Sequence, residues 1–226
     1  MQHAATVQRT NPAEIAAPMA RASIVLGRGL ELPATRLNFA RNEEVFGEAE
    51  SAEYVYQVIS GALRMTRFLA DGRRQVAAFG LPGDIVGLEV GDFYRYSAEA
   101  IVDTTLAVIK RSALERSVEH DAAAMRQVWV LTSGQLEDVQ NQMLLLGRKT
   151  AMERVVAFLL EMSRRNKGAH IIDLPMSRTD IADYLGLTIE TISRTLTQLQ
   201  RSDAISLPSS RHVVLRNKAA LANMDS

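Results

Sequence analysis

From Met125 to Leu146, the residues Met125, Trp129, Thr132, Leu136, Val139, Met143 and Leu146 follow one another at steps of 4, 3, 4, 3, 4 and 3. That spacing keeps one narrow stripe on one face of an α-helix. A strand cannot use it, because strand side chains alternate between faces with a period of two. A helix packed only on its own domain shows a wider apolar stripe. A two-stranded coiled coil needs a seam of this width on each helix, so these residues predict a parallel homodimer. Polar Thr132 within the seam helps to set its register.

Before the seam the period is different. Residues 54–59 and 62–69 are strand-like runs separated by Ser60-Gly61. Asp71-Gly72, a strong hairpin pair, leads into a third run at 75–79. Leu81-Pro82-Gly83-Asp84 marks another turn, and 106–109 is a last strand. Short strands punctuated by glycine turns over 21–110 predict an antiparallel roll or barrel. Residues 1–20, rich in Ala, Pro, Gln and Thr without a sustained period, are expected to form a mobile tail.

The charges are balanced overall but unevenly placed. Residues 1–146 hold 14 basic and 18 acidic side chains, and residues 147–226 hold 12 and 8, net charges of −4 and +4. A basic C-terminal third points to a polyanion-binding module; chance unevenness is the alternative. The chain has no cysteine, which excludes disulfides, Cys-ligated zinc and iron–sulfur clusters. Its histidines (His3, His120, His170 and His212) are too scattered for a local metal motif. No metal or cofactor is expected. Gly-x-Ser-x-Gly, His-Glu-x-x-His, Walker and dinucleotide motifs are missing, so no enzyme class is indicated. No apolar run reaches the roughly 18 residues of a membrane span. The N-terminus lacks the basic-then-apolar pattern of a signal peptide, and a cytoplasmic location is expected.

After the seam, Val155, Val156, Phe158, Leu159 and Leu160 form an apolar helix that stops near Arg164-Arg165-Asn166-Lys167-Gly168. The segment from Met176 to Gln200 carries the most chemistry. Ser177, with Asp180 three residues on, starts a helix whose buried face is Ile181, Ala182 and Leu185. Gly186 makes a sharp turn. Thr188 then caps a second helix buried through Ile192, Leu196 and Leu199. That is a helix-turn-helix. On the open side of its second helix, Glu190, Ser193 and Arg194 share one face near the start. This end of the motif enters the DNA major groove, where Arg reads guanine, Glu accepts from cytosine and Ser serves either kind of edge. An acid there is also favoured by the helix dipole, and Glu190 and Arg194 are spaced to form an i, i+4 pair. Residues 204–207 and 211–215 flank Pro208-Ser209-Ser210 as a hairpin wing. Arg178, Thr188, Thr191, Arg201, Arg211 and Lys218 are candidate contacts to the DNA backbone, with ordinary solvated surface as the alternative for the cations.

Roll, long helix and winged helix-turn-helix in this order resemble the cyclic-AMP receptor/FNR family of bacterial regulators, over about residues 21–216. The carrying strings are Leu81-Pro-Gly-Asp-Ile-Val-Gly87 and Ile189-Glu-Thr-Ile-Ser-Arg194. The Glu-x-x-Ser-Arg form looks like the FNR and FixK branch. It implies a palindrome resembling TTGAT-N4-ATCAA and activation of genes for low-oxygen metabolism or nitrogen fixation. The FNR sensor holds its cluster on cysteines, which this chain lacks, so the resemblance points to FixK-like members that act without a bound cofactor. Cyclic-nucleotide binders set an Arg-Ser or Arg-Thr pair on the phosphate. Here Tyr96 precedes Ser97 and Arg95 stands one residue early, which argues against nucleotide binding. A ligand-switched sensor is the alternative. The resemblance also implies a contact with RNA polymerase, through roll loops around Asp71-Gly72 and from Gly83 to Gly87.

The resulting reading is an α+β chain in four parts. A tail (1–20) precedes an antiparallel β-roll like a cyclic-nucleotide-binding domain (21–110). A dimerisation helix (111–146) and a winged helix-turn-helix (147–226) follow. Its partners are double-stranded DNA, RNA polymerase and a second copy, with no membrane. Ser177 invites one more expectation. A thiol at this helix start beside Arg178 would be activated, and Ser is the near-isosteric replacement for Cys, so the position is a candidate redox site occupied by serine. An ordinary N-cap is the other reading.

Overall fold

The computed structural model describes residues 21–26, 30–119 and 121–224. The expected tail at 1–20, with His3, and also His120, lie outside the described residues. The chain divides into two compact units within one long helix, the first ending at Leu136 and the second beginning at Glu137.

Among the described residues of the first unit, nine strands run as β1 (Arg21–Leu26), β2 (Leu30–Phe39), β3 (Glu44–Phe46), β4 (Tyr54–Ser60), β5 (Leu63–Phe68), β6 (Arg74–Gly80), β7 (Ile85–Val86), β8 (Ser97–Ala100) and β9 (Thr104–Lys110). They form two antiparallel sheets, in the orders β1-β2-β9-β4-β7 and β3-β8-β5-β6. The central pair β4–β9 is registered by Tyr54 opposite Lys110 and Val58 opposite Leu106. Period-two alternation sorts β9 between two cores. Leu106 and Val108 join Phe39, Phe46, Tyr56, Val58, Leu63 and Ala98 in one cluster drawn from both sheets. Ala107 and Ile109 join Ile24, Val55, Ile85 and Leu114 in the other. With both faces covered, β9 reads in sequence as a continuous apolar run.

Within the largely aliphatic interior of the roll, three aromatic rings stack. Phe46 stacks on Tyr94 with ring centroids 3.9 Å apart, and on Tyr56 at 5.3 Å. The Tyr94 hydroxyl donates to the carbonyl of Tyr54 (2.8 Å) and accepts from its N–H (3.2 Å). Burial raises the Tyr56 and Tyr94 hydroxyls above the ordinary phenol value, so both stay neutral. At the β4–β5 turn Gly61 has φ +88°, and a Cβ there would lie 2.4 Å from Thr104 Oγ1 and 2.5 Å from the Asp103 carbonyl, so glycine is required. The Asp71-Gly72 hairpin is one residue longer than a two-residue turn. Gly72 N–H donates to Leu69 O and Leu69 N–H to Arg73 O, leaving Ala70, Asp71 and Gly72 as the loop.

The segment expected as one helix from 111 is two: α1 (Arg111–Glu119) and α2 (Ala122–Arg148). Asp121 makes the break, its carboxylate accepting from the N–H groups of Ala123 (2.9 Å) and Ala124 (3.1 Å) at the start of α2. Val118 of α1, with Val128 and Leu131 of α2, packs on the outer cluster of the roll.

The second unit holds the C-terminal turns of α2, then α3 (Ala151–Arg165), β10 (Ile171–Asp173), α4 (Arg178–Leu185), α5 (Ile189–Arg201), β11 (Ile205–Ser206), β12 (His212–Leu215) and α6 (Lys218–Met224). The strands form one antiparallel sheet in the order β10-β12-β11. Its core gathers Val155, Val156, Phe158, Leu159 and Met162 from α3, Ile192, Leu196 and Leu199 from α5, and Leu221 from α6. Leu160, expected with them, is only half-buried. Thr150 and Glu153 start α3 with a reciprocal capping box. Among the described residues no helix is long and apolar enough to cross a membrane, and no group of His, Cys, Asp and Glu is arranged to hold a metal ion.

Candidate nucleic-acid interface

Helix α4 begins as its sequence dictates. Asp180 N–H donates to Ser177 Oγ (3.1 Å), and the buried Asp180 carboxylate accepts from the Ser177 N–H (3.0 Å) and hydroxyl (2.6 Å). The helix ends at Gly186, whose φ of 62° and ψ of 40° lie in the left-handed region, with its N–H on the Ala182 carbonyl. Two residues later Thr188 caps α5, its hydroxyl accepting from Thr191 N–H (3.2 Å). Ile181, Ala182, Leu185, Ile192, Leu196 and Leu199 are all buried, so the apolar faces of the two helices hold the turn. Tyr184 packs tilted on Phe158, and its burial pushes the phenol up to about 12.

The outer face of α5 is left to solvent. Glu190 and Arg194 are exposed, and among the described residues neither side chain has a hydrogen bond or ion pair. The expected Glu190–Arg194 pair is therefore not formed. An exposed i, i+4 pair gains only about 0.3–0.5 kcal/mol, too little to hold two long side chains together in water. Ser193, between them, is half-buried and accepts a hydrogen bond from the Arg178 guanidinium at 3.2 Å. The Nε of Arg178 is buried without a partner among the described residues. Arg178, expected only as a backbone contact, thus touches a candidate base-reading side chain.

Thr188 and Thr191 share a hydroxyl–hydroxyl bond of 3.0 Å at the positive end of α5. These threonines, Arg178, Glu190, Ser193 and Arg194 all sit in the first turns of α4 or α5. Arg201 is exposed at the far end of α5, and Arg211 is half-buried in the wing loop. Lys218 starts α6 with its ammonium on the Gly168 carbonyl. Sequence reasoning missed β10 and the contact in which the His212 imidazole of the wing strand meets the Asp173 carboxylate across the β10–β12 ladder. A three-residue strand carries almost no periodic signal.

The seam of α2 is largely open in the single chain. Trp129 is 72% exposed, Leu136 59% and Met143 66%, and Met125 and Val139 are exposed with them. The Thr132 hydroxyl donates back to its own helix, at Val128 and Trp129. Leu146 is half-buried, and its Cδ2 would lie 3.7 Å from a Cβ placed on Gly186.

Residues 153–224 match the Crp-like helix-turn-helix domain and residues 36–121 the cyclic nucleotide-binding domain. The nitrogen fixation regulation protein FixK of Azorhizobium caulinodans is 50% identical over 193 residues, 83% of this chain and 78% of that protein. FixK of Rhizobium meliloti is 41% identical over 182 residues, 80% of this chain and 82% of the relative. The solved structure of FixK2 from Bradyrhizobium japonicum shares 52% identity with a TM-score of 0.83, covering 85% of this chain and 98% of that one. The chain belongs to the CRP/FNR family.

As a CRP/FNR protein it is a DNA-binding transcription regulator and not an enzyme, and its helix-turn-helix is α4 and α5. Within the CRP/FNR roll, Arg95 is turned outward onto Glu89 (3.0 Å) and Tyr96 stands before Ser97. An open surface hollow of about 420 Å³ is lined by Glu48, Ala49, Arg67, Phe93, Tyr94 and Arg95. The Arg67 guanidinium in it is already paired with Glu48 at 2.8 Å.

Proposed function

We propose that this regulator acts as a homodimer joined along the α2 seam, reading a two-fold symmetric DNA site with Glu190, Ser193 and Arg194. The observation that carries it is the outer face of α5, where an acid and an arginine stand exposed and unpaired on the first turns of a recognition helix. An unpaired acid beside a phosphate backbone is repelled, so its place there makes sense through a base edge. Thr188, Thr191, Arg178, Arg201, Arg211 and Lys218 are proposed to meet the backbone. The exposed seam supports the second copy, because contiguous apolar surface of this kind is normally covered. In this division of labour residues 21–110 are the effector roll, 111–146 the dimerisation helices and 147–226 the DNA-binding domain, in the cytoplasm.

Likeness to nitrogen fixation regulation proteins supports activation of nitrogen-fixation genes; the Glu-x-x-Ser-Arg form is what points to a site resembling TTGAT-N4-ATCAA, to low-oxygen genes and to action without a bound cofactor. For the polymerase contact, the β5–β6 loop fits better than 83–87: Phe68 is 68% exposed beside it, whereas Ile85 and Val86 are buried. The test is full-length protein titrated onto that palindrome without added ligand. Binding at about nanomolar strength, as a dimer and weakening steeply with salt, is expected. Monomeric binding to single half-sites overturns the dimer. Leu136→Glu, which puts a charge in the seam, should give monomers that bind the palindrome poorly.

The match to the cyclic nucleotide-binding domain favours one second reading, a sensor switched by a small ligand in the roll. Cyclic-nucleotide calorimetry separates the two.

A further inference from the structure

The C-terminal end of α4 is closed by side chains from two other helices. A helix leaves its last four carbonyls without intrahelical partners. For α4 these include Tyr184 and Leu185. The amide of Gln142, on α2, donates to the Tyr184 carbonyl at 3.0 Å. The guanidinium of Arg154, on α3, donates to the Leu185 carbonyl at 3.0 Å. The same guanidinium also donates to Leu146 O at 2.8 Å, in the last turn of α2, and to Lys149 O at 3.0 Å. Two helix C-termini, each a partial negative pole, thus converge on one fixed cation. The turn glycine lies on this junction: a Cβ at Gly186 would be 3.7 Å from both Arg154 and Leu146.

We propose that Gln142 and Arg154 form a joint that locks the reading head to the C-terminal turns of α2, and so sets the half-site spacing the regulator accepts. Neither residue is among those assigned to DNA or to the seam. This rests on the dimer proposed for α2. In that dimer, Val139, Met143 and Leu146 of the seam belong to the same unit as the recognition helix. The angle at which α4 and α5 leave α2 then fixes the distance between the two recognition helices. Arg154 is suited to this because its planar fork spans three carbonyls from three segments at once; a lysine keeps the charge but not the fork.

The experiment compares wild type, Arg154→Lys and Gln142→Ala as full-length proteins. Each is titrated onto the palindrome with its natural spacer, onto palindromes with the spacer one or two base pairs longer or shorter, and onto an isolated half-site. Oligomeric state is measured by analytical ultracentrifugation and folding by circular dichroism. The expected result is dimeric, folded variants with unchanged half-site affinity, whose preference for the natural spacer falls by about tenfold, the loss of one or two hydrogen bonds. Folded dimeric variants that keep the wild-type spacing profile overturn the joint. So do variants that lose half-site affinity as much as palindrome affinity, because the role is then local to α4. A monomeric wild type removes the dimer, and the joint with it. A dimeric wild type with flat spacing preference removes the joint alone. If Arg154→Lys does not fold, the decision passes to Gln142→Ala, which gives up one hydrogen bond.

Discussion

At the scale of single residues, the proposed reading surface is marked at Glu190 and Arg194 by what their side chains are not bonded to. Arg194 stands clear of Glu190, and its guanidinium is free to form a two-pronged contact with guanine. Arg194→Ala should therefore cost about 1–3 kcal/mol on the specific palindrome and little on random DNA. Equal losses on both, measured by fluorescence anisotropy, would show a phosphate contact instead. Ser177 is the opposite case, fully committed within the chain to Asp180. Its place at a helix start favours a thiolate there, whereas the Asp180 carboxylate 2.6 Å from its Oγ opposes one. Ser177→Cys should bind DNA when reduced and lose binding after peroxide, because a charged sulfinate is repelled by the Asp180 carboxylate and cannot donate the hydrogen bond that closes the cap. Wild type should be indifferent to the same treatment; if both respond alike, another residue carries the sensitivity.

At the scale of elements, the caps decide where helices begin. The α3 box has Thr150 Oγ1 accepting from Glu153 N–H, and the Glu153 carboxylate accepting from Thr150 N–H. The bond from the Thr150 N–H, aided by the Thr150 side chain, holds the Glu153 carboxyl below the ordinary glutamate value. A carboxyl whose folded pKa is depressed stabilises the fold above its unfolded pKa, and that contribution is lost as pH falls through the folded value. Acidification should loosen the start of α3, and Glu153→Gln should flatten this part of the pH dependence in thermal melts. Thr150→Ala, which removes the cap itself, should cost about 1 kcal/mol at neutral pH. A variant as stable as wild type would show that packing of Val155, Val156 and Phe158 suffices to start the helix.

At the scale of the whole molecule, the roll matches a cyclic nucleotide-binding domain, and its interior is packed with aliphatic side chains around a stack of its own aromatic rings. Phe46, Tyr56 and Tyr94 are stacked and buried, and Tyr94 is tied at both edges of the Tyr54 peptide. Calorimetry with cyclic AMP and cyclic GMP should give no heat of binding, and neither nucleotide should change DNA affinity; a saturable heat would establish the sensor reading. The sequence by itself determined the strand-rich N-terminal part, the apolar stripe of α2, the caps at Ser177 and Thr188, the turn at Gly186 and the exposure of Glu190 and Arg194, but not the half-burial of Ser193. Each is written in local period or in the chemistry of one residue type. The break before α2 is also local, in the cap that Asp121 makes with Ala123 and Ala124, although the heptad period does not record it. Tertiary structure alone decided the strand β10, the bond from Arg178 to Ser193 and the junction at Arg154. The last two depend on carbonyls and hydroxyls that chain topology brings together from 15 to 31 residues away, and no local period records such a meeting.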